Sequence, residues 1–104
     1  MINNSVQTSK IDINATGNVL GAAGTGKSTY IWAIVFTTAG TVTVQISDGT
    51  NNFTGAMTCV AGVPIPFDPL PGERPLFTLG AAATLTFTLG SGTQTSGYVQ
   101  YSVV

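Results

Sequence analysis

The segment that follows Lys27 constrains the fold more than any other part of the sequence. Residues 28–38, S-T-Y-I-W-A-I-V-F-T-T, are mostly β-branched or aromatic, the residue types that strands favour. A regular strand here has two largely apolar faces, so we expect it to be central or to have one face covered by a second subunit. One face is expected to carry Tyr30, Trp32, Ile34 and Phe36, and the other Ile31, Ala33, Val35 and Thr37.

The rest of the chain consists of short strand patterns separated by turn residues. Apolar and polar residues alternate over 41–48 and again over 84–89, which indicates strands with one buried face. Ala39-Gly40 and residues 90–95 have the composition of hairpin connections. Turn signals recur at intervals of about 8–12 residues. We therefore predict an all-β fold, a two-sheet antiparallel sandwich of about eight strands.

The predicted organisation is a polar, uncharged and flexible N-terminal arm over 1–9, followed by a single sandwich domain over 10–104. Residues 60–67 contain Pro64 and Pro66 and are predicted to be an edge strand or an extended segment. The last strand is expected to place Val99 and Tyr101 on one face. The eight predicted strands are 10–15, 19–23, 28–38, 41–48, 53–59, 76–79, 84–89 and 97–104.

Charge is scarce, and this excludes several functions. Charged residues are 7% of the chain, with three cations, four anions and no histidine. Three cations cannot form a phosphate-binding patch, so we expect no nucleic-acid partner. Without histidine the commonest general base and zinc ligand are missing, so we expect no catalytic site, cofactor or metal and infer a non-enzymatic protein. No basic-then-apolar leader is visible, and the apolar run 31–36 is too short to span a bilayer, so we expect cytoplasmic synthesis and no membrane role.

One motif opposes that interpretation. Gly21, Gly26, Lys27 and Ser28 complete the P-loop string G-x-x-x-x-G-K-S. A P-loop holds phosphates because a helix begins at its Lys-Ser, and the residues here favour a strand instead. We interpret residues 24–27 as a turn between two antiparallel strands, with Lys27 in solvent. The string is then a decoy, and a nucleotide binder is kept as a remote alternative.

Other chemically capable residues have ordinary structural explanations. Cys59 has no histidine to activate it and is predicted to be a buried apolar side chain. Asp68 and Glu73 form the one nearby acidic pair, beside Arg74 in a proline-rich loop. Solvated loop charges or an intersubunit contact are favoured for these three over acid–base chemistry.

Two further clusters leave alternatives open. Tyr98 and Tyr101, with Gln100, can line a sugar-binding face or pack within the protein. Asp48, Asn51 and Asn52 can offer oxygen ligands to Ca²⁺ or simply form a turn, which Asx side chains stabilise by themselves. The turn is favoured for the second cluster.

Three segments together resemble the small jelly-roll virion proteins of tailed bacteriophages, among them capsid decoration (cement) proteins. The segments are YIWAIVFTTAGTVTV at 30–44, the DGT, FTGA and PFDPLP motifs at 48–50, 53–56 and 66–71, and LTFTL with SGYVQY at 85–89 and 96–101. The resemblance implies a jelly-roll-like fold, a homotrimer, binding to the major capsid protein and a place on the capsid surface of a virion. Related sandwiches serve as fibre heads or tail tips, which implies the alternative of a receptor- or glycan-binding module using Trp32 or Tyr98.

Overall fold

The computed structural model describes residues 6–67 and 74–104, and in these ranges the chain forms strands and turns but no helix. All pairings between the strands are antiparallel. The nine strands of the described residues are β1 (Gln7–Ile13), β2 (Gly17–Leu20), β3 (Thr29–Thr38), β4 (Val42–Ser47), β5 (Met57–Cys59), β6 (Ile65–Phe67), β7 (Phe77–Leu79), β8 (Leu85–Leu89) and β9 (Thr95–Val103).

The strands form the two sheets of a β-sandwich. The first sheet has the order β1-β9-β3-β6, with β7 also paired to β3, and the second has the order β2-β8-β4-β5. β7 pairs with residues 29–31 of β3 and β6 with residues 34–36, so these two short strands share one position. The nine strands thus occupy eight positions in chain order, with β6 and β7 counted as one. The first position pairs with the last, the second with the second-last, and the inner positions pair in the same way. That nesting is the strand order of a jelly roll, and the predicted fold class is confirmed.

The predicted hairpin at Ala39-Gly40 is wrong. β3 lies in the first sheet and β4 in the second, so this connection crosses the sandwich; residues 90–94 likewise join β8 to β9 across it. The two crossings are tied together, because the Ala39 amide donates to the Gln94 carbonyl at 2.8 Å. Turn composition shows where a chain reverses, but whether the two strands then pair depends on the sheet in which each finds its partners.

β3 contains a bulge that overturns its predicted faces. Ile31 pairs with Tyr101 and Ala33 with Gln100, so Trp32 is an extra residue opposite β9. The alternation therefore changes phase at Trp32. Thr29 and Ile31 before the bulge, and Ile34, Phe36 and Thr38 after it, are the residues that are 1% exposed or less.

The core lies between the sheets and is made of aliphatic and aromatic side chains. Phe36 of the first sheet meets Phe87 of the second edge to face, with ring centroids 5.2 Å apart. The Phe53 and Phe77 rings stack at 4.5 Å. Burying each such side chain contributes roughly 1.5–3 kcal/mol, which for a chain this short is a large part of folding. Thirteen residues form the buried apolar cluster: Ile11, Ile31, Ile34, Phe36, Val42, Val44, Ile46, Cys59, Leu79, Leu85, Phe87, Leu89 and Val99.

β1 begins earlier than predicted. The sequence predicts that residues 7–9 belong to the flexible arm, but Thr8 pairs with Gln100 and Ser9 with Val99 in the ladder to β9. The segment is polar and carries no strand signal of its own, so the ladder to a neighbouring strand determines its conformation. Residues 1–5 of the predicted arm lie outside the described residues.

Candidate functional site

The P-loop-like segment forms a turn, and β3 follows it. The Lys27 amide donates to the Gly24 carbonyl at 3.1 Å, which closes a four-residue turn. Gly24 and Gly26 have φ values of 107° and 76°, a left-handed backbone that glycine adopts without strain. The turn is as predicted, but β2 and β3 lie in different sheets, so it does not join two paired strands.

Three backbone amides of this segment, those of Gly24, Lys27 and Ser28, donate hydrogen bonds within the protein. The Gly24 amide donates to the Ala81 carbonyl, and the Ser28 amide to the Val104 carbonyl, both at 3.0 Å. A phosphate-binding loop needs such amides free and converging on one point at a helix N-terminus. The Lys27 side chain is exposed. The expectation that no nucleotide binds here stays a prediction.

Asp48 organises a turn at the same end of the sandwich. Its Oδ1 accepts hydrogen bonds from the amides of Thr50, at 2.9 Å, and Asn51, and its Oδ2 accepts from the Asn51 side chain at 3.4 Å. These donors, the Asn51 amide first, hold the pKa of the Asp48 carboxyl below its usual range. Asn52 instead pairs with Ser47 through a backbone bridge. The geometry is that of the turn favoured over a Ca²⁺ site.

A shallow cleft of about 400 Å³ lies beside this turn, between it and the β7–β8 connection. Asp48, Thr50 and Asn51 form its polar wall, and residues 80–83, a glycine and three alanines, form the other. The described residues contain no group of three or more Asp, Glu, Cys or His side chains placed to hold a metal ion. The cleft therefore offers one carboxylate, a hydroxyl and an amide against an apolar wall.

The predicted sugar-binding residues are divided between the two sides of β9. Tyr98 lies on the outer face and is 40% exposed, whereas Tyr101 packs against the core and its hydroxyl donates to Gln7 Oε1 at 3.2 Å. Gln100 shares the outer side with Tyr98, since it lies two residues away on β9. Trp32 is only 8% exposed, with its ring edge to face against Tyr30 at 6.0 Å. Tyr98 is the most exposed of these aromatic side chains.

Two other predicted groups have different outcomes. Cys59 is fully buried in the core, as predicted, and burial raises the pKa of its thiol. Asp68 and Glu73 lie outside the described residues, so the acidic pair stays a prediction. Arg74 is described and exposed.

An exposed apolar loop precedes β6 and is not among the sites predicted from the sequence. The sequence predicts an edge strand or extended segment over residues 60–67, and β6 is an edge strand that starts only at Ile65. Residues 60–64, V-A-G-V-P, are all exposed. Val60 is 54% exposed and Val63 is 49% exposed. The signal was Gly62 between the two valines, because a glycine inside an apolar run indicates a turn.

Comparisons with known proteins give no family. No family model matches the chain, and no curated protein matches it. Among solved structures there is a similarity to a protein of Bacillus endospore appendages, which are a novel family of disulfide-linked pili. It has 11% sequence identity and a TM-score of 0.42, and covers 98% of this chain and 88% of that one. In the described part of this chain, no helix has the length and apolar character needed to cross a membrane.

Proposed function

We propose that this chain is a non-enzymatic structural protein of a virion, a capsid decoration protein that trimerises and binds the outer surface of the capsid. The observation that carries the proposal is the jelly-roll strand order, the architecture that the sequence resemblance implies. The engaged amides of the P-loop-like turn and the stabilising role of Asp48 in its own turn support an assembly role over catalysis. The partner on the virion is the major capsid protein.

The mechanism that follows is passive. A rigid sandwich with few charges contributes binding energy through apolar contact of about 25 cal/mol per Å² covered, and each bound copy bridges neighbouring capsid subunits. Such a ligand stabilises the folded, assembled state simply because it binds that state and not the disassembled one. The expected effect is a higher temperature for heat disruption of the shell.

Electron microscopy of the native particle tests the proposal. We expect density for this jelly roll on the outer capsid surface, at positions of three-fold symmetry. Purified protein added to shells that lack it should bind and raise the temperature of disruption. Density at the tail, or no binding to shells, contradicts the capsid role.

The second candidate is a glycan-binding module at a fibre head or tail tip. The cleft between Asp48 and residues 80–83 favours it, because a carboxylate, a hydroxyl and an amide beside an apolar wall match the hydroxyls and C–H face of a neutral sugar. A glycan array probed with the wild type and with Asp48→Ala tests it. Binding that the substitution abolishes supports this candidate, and no binding at millimolar ligand removes it.

A further inference from the structure

The outer faces of the two sheets have different chemistry. Hydroxyls and amides cover the second sheet, and some of them bond to one another, since Asn18 Oδ1 accepts from the Thr84 and Thr86 hydroxyls at 3.1 and 2.9 Å. Such a surface is well satisfied in water. Its outward side chains are Asn18, Thr43, Gln45, Thr58, Thr84, Thr86 and Thr88.

The outer face of the first sheet is apolar at its centre. Tyr98 of β9 lies opposite Val35 of β3, and Val35 lies opposite Pro66 of β6, so the three form a row across the strands. Tyr98 and Pro66 are exposed and Val35 is half-buried. Because the bulge at Trp32 puts Val35 outward, this row could not be read from regular alternation.

The exposed loop 60–64 joins β5 of the second sheet to β6 of the first and ends directly before β6, the strand that carries Pro66. Its shape is fixed, because the Gly62 amide donates to the Thr38 carbonyl at 2.8 Å and the Val63 amide to the Val60 carbonyl at 3.1 Å. Runs of exposed apolar residues as long as this one are normally avoided unless they serve a function. A pre-shaped loop also binds with little loss of conformational entropy.

The charge on this surface is balanced. Lys10 and Asp12 are the charged side chains on the described strands of the first sheet, and they lie 4.0 Å apart on β1 with opposite sign. A surface that binds anionic lipid or nucleic acid carries an excess of cationic side chains, and the described strands of the first sheet have no such excess. Two identical copies of a neutral surface do not repel each other, and the Lys10 of one can face the Asp12 of the other.

The available area suits a standard protein interface. Four strand positions at about 4.8 Å spacing and a length of about 30 Å along β9 give a sheet face of roughly 600 Å² in projection. Loop 60–64 adds to this area, and a stable complex covers ~800 Å² per partner. The whole outer face of the first sheet, together with the loop, is therefore of the size that a contact between copies needs.

We propose that a second copy of this chain covers the outer face of the first sheet together with loop 60–64, and that the outer face of the second sheet stays in solvent. The inference rests on the proposed function only in expecting a homo-oligomer. It names the surface that the copies share, with Tyr98, Val35 and Pro66 at its centre.

Sedimentation velocity over a concentration series, up to millimolar protein, tests the proposal. We expect the wild type to form an oligomer whose mass gives the number of copies, and Tyr98→Glu to weaken association at least about tenfold. Thr88→Glu, which adds the same charge to the other sheet, should leave association unchanged. Far-ultraviolet circular dichroism and a urea titration establish that both variants fold.

A charge exchange on the exposed ion pair gives a second test that spares the fold. Lys10→Glu places two acids on the surface and should weaken association in a salt-dependent way, whereas Lys10→Glu combined with Asp12→Lys should restore it. A monomeric wild type overturns the proposal, even if that monomer co-floats with phosphatidylcholine vesicles or binds capsid shells. Shell binding by a monomer would still support the capsid role. An oligomer that Thr88→Glu disrupts and Tyr98→Glu does not also overturns it.

Discussion

The Trp32 indole donates a hydrogen bond from Nε1 to Ser102 Oγ at 2.9 Å, joining β3 to β9 at the bulge. Ser102 is fully buried. The bond thus gives a buried hydroxyl a hydrogen-bond partner, and the tryptophan ring helps to shield that hydroxyl from water. The bond also holds the bulge, where the alternation of side chains shifts so that Ile34 and Phe36 face the core.

Trp32→Phe is expected to destabilise the protein by about 1–3 kcal/mol, because it leaves the buried Ser102 hydroxyl without this donor. Urea unfolding followed by circular dichroism measures the loss. Tyr98→Phe, which removes an exposed hydroxyl, should stay within about 0.5 kcal/mol. A Trp32→Phe variant as stable as the wild type would show that the bond is of little energetic consequence.

Gly97→Ala is expected to be severely destabilising, by about 4 kcal/mol or more. A Cβ on Gly97 would overlap the Val35 carbonyl oxygen and would lie 2.6 Å from the Phe36 Cα. Both atoms belong to the backbone, so β9 and β3 would have to separate. Gly55→Ala is the matched control, since nothing lies within 4 Å of a Cβ there. Thermal unfolding of the two variants side by side decides the point.

Thr38→Val is expected to stabilise the protein by about 1 kcal/mol. Thr38 Oγ1 is buried and has no hydrogen-bond partner among the described residues, so a methyl group of similar shape removes a desolvation cost. Thr95 lies directly opposite on β9, and its hydroxyl donates to the Thr93 carbonyl at 3.2 Å. Thr95→Val should therefore destabilise by a similar amount; opposite signs in urea unfolding are the expected result, and equal signs contradict the assignment.

Acid should weaken the protein through Asp48. The pKa of its carboxyl is lowered in the folded state, so the ionised form stabilises the fold at pH values above the unfolded pKa, near 4. This contribution is lost as the pH falls through the lowered folded pKa. Asp48→Asn should reduce stability at pH 7 and flatten the decline below about pH 4. Urea unfolding of both proteins across that range is the measurement, and parallel curves would refute the expectation.

Lys27→Ala should change the free energy of unfolding by no more than about 0.5 kcal/mol. We expect neither the wild type nor this variant to bind Mg-ATP. The reason is that the Gly24 and Ser28 amides already donate within the protein and Lys27 is exposed. Calorimetric titration of ATP into the wild type is expected to give no signal at micromolar affinity. Tight binding that Lys27→Ala abolishes would restore the P-loop interpretation.

The sequence predicted the β-sandwich because alternation and turn residues are local properties. Val42, Val44 and Ile46 point inward simply because successive side chains of a strand lie on opposite sides. The same reasoning placed Val99 and Tyr101 on one face of β9, and the structure shows that this face is the core side. It also predicted the buried Cys59, since an apolar environment is the ordinary position of an unpaired thiol.

The sequence could not predict what depends on distant pairing. The segment at Ala39-Gly40 has hairpin composition whether or not its strands pair, and only the positions of β9 and β8 assign β3 and β4 to different sheets. Glycan binding through Trp32 likewise requires an accessible indole ring. The structure instead has this ring at the bulge, buried against Tyr30.

By itself the sequence determined that the chain is an all-β sandwich whose G-x-x-x-x-G-K-S string leads into a strand, because period-two patterning and β-branched residues act over a few neighbouring positions. Only the tertiary structure decided which faces look outward and that one sheet presents Tyr98, Val35 and Pro66 while the other presents threonines. The physical reason is that one bulged residue, held by a partner 70 positions away, reverses the facing of every side chain after it in β3.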